Sequence, residues 1–598
     1  MSRWLAIFDR EGRVNAGEGS DAFRCYPHFR ESGLVEVHRS PDAWLGIWGP
    51  SSFSVQPSIS VLFDGALYAQ SQPGFEAMWL AERHRKATLD LSGLNGRWSF
   101  LIYDQAAQQL LLARDRVGVK PLYYWKDEHR SVFASEPKLI LGLPFVENNF
   151  DPEAVFDYFV LSRVDSQRET LFKGIRQILP AHELRVDLQE GTWEEQPYYE
   201  PSFNPGVGRF DPAEADRWQE KVREKLNQAV SRRLQYHASP PATFLSGGLD
   251  SSALAGLIRS ATDDPLTALT ASYREEEFAE QQWAKVVVEE VNALWLQTFP
   301  NIGGLKADLE DFIYNQDTPT FSAGTYSQYC LFRMARENGV QYIFDGQGAD
   351  ALFGGHQPHL PPLWSDLLRS GQWSAFARER KTFGSWRKTL AYGGTHWLKY
   401  KFIPAMPVLL QDKFKRWYFP ELEYLNPDIL AHNLKRYEVS GKSTPTGLNA
   451  TLHDGYFKGP LSFLLKCVDR ASAWTGVDTC TPYSDDAELM DLVFSIPGTF
   501  KIHKGVHKRL LRESCRDVLP RAIYDRRDKM GLVTPNNAWM AQLRPLLRMY
   551  LEEQDDALFD KKKMLRDCDQ FFAPESGLEN FRVYKYLSMA IWRSIFKL

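Results

Sequence analysis

The sequence predicts an α/β protein of more than one domain, and three observations carry that expectation. The chain has 598 residues, more than one hydrophobic core accommodates. Up to about residue 200, short apolar or alternating runs are separated by turn residues, as in antiparallel sheets. From about residue 212, apolar runs of strand length alternate with helical stretches, as in a parallel α/β sheet.

In order along the chain, residues 4–8, 61–63, 98–103, 110–113 and 132–134 read as strands, because Val, Leu, Phe and Tyr suit a pleated, half-buried surface. Residues 197–208 are rich in Pro and Gly and read as a linker, which divides the chain into residues 1–205 and 206–598. A helical run over 213–236 leads to an apolar strand at 242–245, a Gly-Gly loop and a helix over 252–258. Strands follow at 266–272, 294–299 and 340–344, with helices at 281–291 and 326–337 between them. Beyond Asp350 the pattern is mostly helical.

Composition bounds the function. Hydrophobic residues make up 43%, charged residues 25% and aromatics 13%, as in an ordinary globular chain. A net charge of −5 gives no whole-chain reason to expect nucleic acid as a partner. The first residues lack a secretory pattern and no apolar run has the length of a membrane span. The six cysteines are scattered without a Cys-x-x-Cys pair, against a zinc site or a disulfide framework. A cytoplasmic location is expected.

The chemistry concentrates at Ser246-Gly247-Gly248-Leu249-Asp250-Ser251-Ser252, which follows Phe244-Leu245 and precedes a helix. An open parallel sheet binds ligands beyond the carboxyl ends of its strands. Glycines let backbone approach a phosphate chain, the serines add hydroxyls, and a helix N-terminus presents free amides. Asp250 opposes a bare anion, but suits one bridged by Mg²⁺. This loop resembles the pyrophosphate-binding motif of the N-type ATP pyrophosphatases.

Further segments resemble the asparagine synthetases. They are Asp345-Gly346-Gln347-Gly348-Ala349-Asp350-Ala351-Leu352-Phe353-Gly354-Gly355, Val468-Asp469-Arg470, Thr481-Pro482-Tyr483-Ser484-Asp485, Lys508-Arg509-Leu510-Leu511-Arg512 and Arg526-Arg527-Asp528-Lys529-Met530-Gly531. The N-terminal half matches at His38–Asp42, Leu112–Tyr124 and Phe133–Glu136. The resemblance implies an N-terminal αββα glutaminase-like (Ntn-type) sandwich. It also implies a C-terminal parallel α/β ATP-pyrophosphatase domain (adenine nucleotide α-hydrolase-like) with a helical C-terminal part. ATP and Mg²⁺ would be the cofactors, with Asp250 and Asp350 as metal ligands. Leu245, Ser246, Gly247, Gly248, Leu249, Asp250, Ser251, Ser252, Ser272 and Gly346 would hold ATP or pyrophosphate, and Lys529, Gln347 and Asp350 would be catalytic. Lys529 would neutralise charge developing in the transition state, so Lys529→Ala is expected to lower turnover by about 10²–10³, read as pyrophosphate release.

The departures matter as much. Glutamine-dependent members need Cys at position 2, and here Ser2 is followed by Arg3. Their Asn-Gly element reads Asp64-Gly65, and the acid expected before Gly96 is Asn95. Where they carry Glu-x-Arg, this chain has Asp478-Thr479-Cys480, which lacks the bidentate carboxylate clamp of an arginine. Gln347 replaces an acid. β-Lactam synthetases and the macrolactam synthetases (cyclases) of lasso-peptide biosynthesis share the architecture without the N-terminal cysteine, and their substrates bring the amine. The resemblance to the cyclases implies ring closure in a precursor peptide, with a leader peptidase and a leader-binding protein as partners. An asparagine synthetase, a β-lactam-type ligase and a non-catalytic scaffold stay open at this level. Tryptophans 364, 373, 386, 397 and 417 lie among basic residues, in a segment that reads either as amphipathic surface helices or as a peptide-docking face.

Overall fold

The computed structural model describes residues 3–26, 33–49, 52–68, 70–164, 167–273, 281–383, 420–437, 446–527, 536–571 and 581–598. Two six-stranded antiparallel sheets form the N-terminal part. The first runs in the order Arg176–Gln177, Tyr123–Lys126, Arg130–Ala134, Arg3–Asp9, Ala43–Trp48, Leu34–Arg39. The second runs Trp193–Pro197, His182–Asp187, Gln109–Arg114, Gly96–Asp104, Ile59–Leu67, Ser52–Gln56. Period-two alternation stacks them. Trp4, Ala6 and Phe8 face an inter-sheet core with Leu62, Leu101, Leu112 and Phe133, while Leu5 and Ile7 face helices on the other side. The helix Glu76–Arg85 covers the outer face of the second sheet through Ala77, Leu80 and Ala81. Layers of helix, sheet, sheet and helix result, as expected of an αββα sandwich.

A five-stranded, wholly parallel sheet forms the second part, in the order Leu294–Thr298, Thr267–Ala271, Ala242–Phe244, Tyr342–Phe344, Asp478–Cys480. The chain enters at the centre, builds out to one edge, then returns to complete the other. The order therefore reverses between Ala242–Phe244 and Tyr342–Phe344, where a ligand crevice opens in such sheets. The strand Asp478–Cys480 departs from the mostly helical pattern beyond Asp350. Three residues, two of them polar, carry no alternation that could be told from the surrounding helices. The helix Pro212–Tyr236 starts where its sequence says it should, with Pro212 at its first turn and Asp211 accepting from Glu214 N at 2.8 Å.

The two parts share apolar packing. One core cluster combines Leu5, Phe156 and Phe172 of the N-terminal part with Phe312, Leu587 and Trp592 of the C-terminal part. Trp592 Nε1 donates to Asp317 O at 2.9 Å, and its ring lies 5.1 Å from Phe172. The linker is docked: Thr499 N donates to Val207 O at 3.0 Å and Asn449 Nδ2 to Asn204 O at 2.8 Å. Among the described residues no disulfide joins the cysteines, and no helix is long and apolar enough to cross a membrane.

Candidate functional site: a loop and two carboxylates at the sheet reversal

The loop after Ala242–Phe244 is tighter than its sequence suggests. The helix begins at Leu249, so Asp250, Ser251 and Ser252 stand in its first turn rather than in the loop. Gly247 has φ +78°, and a Cβ there would lie 2.5 Å from Ala284 N, so the position requires glycine. Ser246 Oγ accepts from Gly248 N at 3.2 Å and lies 3.2 Å from Ser251 Oγ. Ser252 Oγ is buried and has no hydrogen-bond partner among the described residues. Arg526 Nη1 donates to Gly247 O at 3.2 Å, with its guanidinium 4.8 Å from the Trp283 ring centre.

Across the reversal, Tyr342–Phe344 ends in a turn whose Asp345 Oδ1 accepts from Gln347 N at 3.1 Å. Asp345 Oδ2 accepts from Gln328 Nε2 at 3.0 Å. Burial pushes the Asp345 carboxyl up to about 7, and these two donors offset only part of the rise. Gly346 lies beside the helix start: a Cβ on it would sit 3.4 Å from Asp250 Cβ. The short helix Ala349–Phe353 then presents Asp350.

Asp250 and Asp350 converge on one cation. Lys508 Nζ lies 2.7 and 2.5 Å from the two Asp250 oxygens and 2.5 Å from Asp350 Oδ1. Burial opposes the charge on Lys508, yet Asp250 and then Asp350 outweigh it and hold the ammonium above the ordinary lysine range. A Cβ on Gly355 would fall 1.8 Å from Asp350 Oδ1 and 2.1 Å from Lys508 Cε, so a glycine is needed for this approach. Lys508 received no role from the sequence. It stands at the start of the helix Arg509–Ser514, far from both acids along the chain.

A third segment backs the other two. After Asp478–Cys480, Tyr483 Oη donates to Asp250 O at 3.3 Å and Ser484 Oγ to Gln347 O at 2.8 Å. Ser272, at the end of Thr267–Ala271, is buried, with its Oγ accepting from Gln297 Nε2 at 3.1 Å. Lys529 lies outside the described residues, as do Ser2 and Trp386, Trp397 and Trp417. Of the remaining tryptophans in that segment, Trp364 is buried and Trp373 is 66% exposed.

Free amides at a helix start, hydroxyls and a buried ammonium suit a phosphate chain. Among the described residues no three His, Cys, Asp or Glu side chains could hold a metal by themselves. Two convergent carboxylates, completed by phosphate oxygens, are a donor set that fits Mg²⁺.

Comparison with known proteins decides the family. A family model described as asparagine synthase matches residues 221–593, and one described as a glutamine amidotransferase domain matches 80–199. The chain belongs to the asparagine synthase family. Asparagine synthetase [glutamine-hydrolyzing] 3 of Bacillus subtilis (strain 168) is 26% identical over 79% of this chain and 73% of its own length. Asparagine synthetase [glutamine-hydrolyzing] 1 of the same strain is 23% identical over 87% and 80%. A putative asparagine synthetase [glutamine-hydrolyzing] of Mycobacterium bovis (strain ATCC BAA-935 / AF2122/97) is 25% identical over 89% and 81%. This asparagine synthase family protein is therefore an ATP-dependent carbon–nitrogen ligase that forms AMP.

The positions read above as departures from the family pattern lie where the amidotransferase-like part meets the synthetase part. Asp64 pairs with Lys120 at 3.0 Å, and Lys120 with Asp469 of the synthetase part at 2.8 Å. Asn95 Oδ1 accepts from Ala487 N at 3.0 Å. Arg3 pairs with Glu136 at 3.2 Å and also donates to Ala473 O. Cys480 lies 3.4 Å from His237 Nε2, and the same nitrogen lies 3.8 Å from Asp478. This is not a nucleophile with its base: burial pushes the thiol up to about 12 and His237 down to about 4, and both partners share one ring nitrogen.

Proposed function

We propose that this ligase activates a carboxylate as its acyl-adenylate and closes an intramolecular amide, a macrolactam in a lasso-type precursor peptide. The observation that carries the reading is the use made of the altered glutamine-pocket positions. Asp64 and Asn95 are bound to partners at the boundary with the synthetase part, and Ser2 stands where glutamine-dependent members carry the cysteine that draws ammonia from glutamine. We read residues 1–205 as silent toward glutamine and residues 206–598 as the catalytic part. The amine then comes with the substrate. Cys480 further removes a guanidinium that would hold a free amino acid's carboxylate.

In this reading Ser246–Ser252 and Lys508 hold the phosphates, with Ser272 and Gly346 alongside. Asp250 and Asp350 would hold Mg²⁺, which would neutralise phosphate charge. Lys529 stabilises the charge that develops when carboxylate and α-phosphate react, and holding acid and amine in one chain lowers the barrier by proximity. A leader peptidase and a leader-binding protein would then supply the substrate. The relatives named above, all called glutamine-hydrolyzing asparagine synthetases, favour a second reading, an asparagine synthetase that takes its nitrogen from ammonia or glutamine.

Pyrophosphate release separates the readings. It is measured with ATP–Mg²⁺ alone, with aspartate plus ammonium, with aspartate plus glutamine, and with a leader-free peptide carrying an N-terminal glycine and an internal Asp or Glu. Release with the peptide, accompanied by loss of one water in mass, is expected. Turnover only with aspartate and a nitrogen source would overturn macrolactam closure, and turnover with glutamine would overturn the silent first domain.

A further inference from the structure

The turn that backs the candidate site is itself anchored from the amidotransferase-like part. Arg97, in the strand Gly96–Asp104 and 2% exposed, donates from Nη2 to Asp478 Oδ2 at 2.7 Å and from Nε to Tyr68 Oη at 3.3 Å. Its Nε also lies 3.8 Å from Asp485 Oδ2. Arg233, fully buried in Pro212–Tyr236, donates from Nε to Asp485 Oδ1 at 3.0 Å and from Nη1 to Asp486 Oδ2 at 3.1 Å. Its guanidinium lies 4.3 Å over the Tyr68 ring.

Residues two apart on a strand share a face, so positions 478 and 480 present the same way. Cys480 brings no charge, and Tyr68 Oη reaches its Sγ at 3.7 Å. The positive charge beside Asp478 is supplied instead by Arg97, from another sheet. Burial pushes the Asp478 carboxyl up, but Arg97, then His237, hold it well below the usual carboxylate range. Breaking such a buried pair from one side is strongly unfavourable, because the remaining charge stays unpaired. The anchored turn is the one that donates from Tyr483 to Asp250 O and from Ser484 to Gln347 O.

We propose that Arg97 is a positioning residue of the nucleotide site: it fixes the edge strand Asp478–Cys480 and the following turn, and through Tyr483 and Ser484 sets the spacing of Asp250 and Gln347. The proposal rests on the nucleotide-site reading of the Ser246–Ser252 loop.

The test uses the full chain, with hydrogen–deuterium exchange and calorimetric binding of AMPPNP–Mg²⁺ for wild type, Arg97→Met and Arg97→Lys. Arg97→Met is expected to exchange faster over both 478–486 and 245–252 and to bind the analogue roughly tenfold more weakly, with Arg97→Lys recovering part of both. Combined with Ser484→Ala, its effect should fall short of the product of the single effects, as for residues acting through one another. A folded Arg97→Met that loosens 478–486 but leaves 245–252 and affinity at wild-type values would overturn the proposal, as would independent effects. Should Arg97→Met not fold, Tyr68→Phe, which removes only the hydroxyl between Arg97 and Cys480, is read the same way. Wild type that binds no analogue refutes the nucleotide reading while exchange still decides the positioning. Binding without pyrophosphate release on any substrate refutes the proposed amide closure alone.

Discussion

At the scale of single residues, the site depends on charges that compensate each other at short range. Lys508 is buried between Asp250 and Asp350, so removing its ammonium leaves two carboxylates facing one another. Lys508→Met is expected to lower pyrophosphate release by about 10²–10³, the scale of losing one preorganised donor to a charged group. Asp345 makes the opposite case. Its donors are neutral, and its carboxyl titrates near 7 in the fold against about 4 when unfolded. A carboxyl raised in this way contributes stability that is fully present below the unfolded value and is lost as pH rises through the folded one. Asp345→Asn, which does not titrate, should therefore gain in melting temperature relative to wild type between pH 5 and pH 8. A constant difference across that range would contradict the assignment. Asp250 and the serines were legible because they sit in one short, ordered string. The role of Lys508 was not, because the string Lys508–Arg512 marks its position but says nothing of its partners, which lie 258 and 158 positions earlier in the chain (508−250 and 508−350).

At the scale of elements, three strand ends build the crevice. Two of them, Ala242–Phe244 and Tyr342–Phe344, follow from apolar runs that could be read directly. The third, Asp478–Cys480, owes its strand conformation to pairing with Tyr342–Phe344 rather than to its own residues. The loop between the first strand and its helix is held by backbone geometry. Gly247→Ala places a Cβ against Ala284 N at a positive φ, at a cost of about 1–3 kcal/mol. Thermal melts should show that loss together with weaker ATP binding. A variant as stable as wild type would mean that the helix Gln281–Val291 can move away.

At the scale of the whole molecule, buried ion pairs join the two parts. Arg97–Asp478, Lys120–Asp469 and Arg470–Glu136 all cross between them. Burial pushes Glu136 and Asp478 up, but Arg470 for the first and Arg97 for the second hold both well below the usual carboxylate range. A depressed carboxyl contributes stability that is present above its unfolded value and lost as pH falls through the folded one. Urea midpoints should therefore drop steeply below about pH 4, and Arg97→Met should flatten the part of that drop that Asp478 contributes. An unchanged acid limb in Arg97→Met would place the dependence elsewhere.

The sequence alone determined the α/β class, the antiparallel-then-parallel division and the chemistry of the loop. Those properties live in local strings, in hydrophobic period and in the ordered motifs that mark the asparagine synthase family. Tertiary structure decided which side chains share a space. It placed Lys508 between Asp250 and Asp350, brought Arg97 from one sheet to the acids of another, and buried Cys480 beside His237 and Tyr68. These pairings depend on how the layers dock, since buried charges must find partners across the fold whatever their distance in the chain.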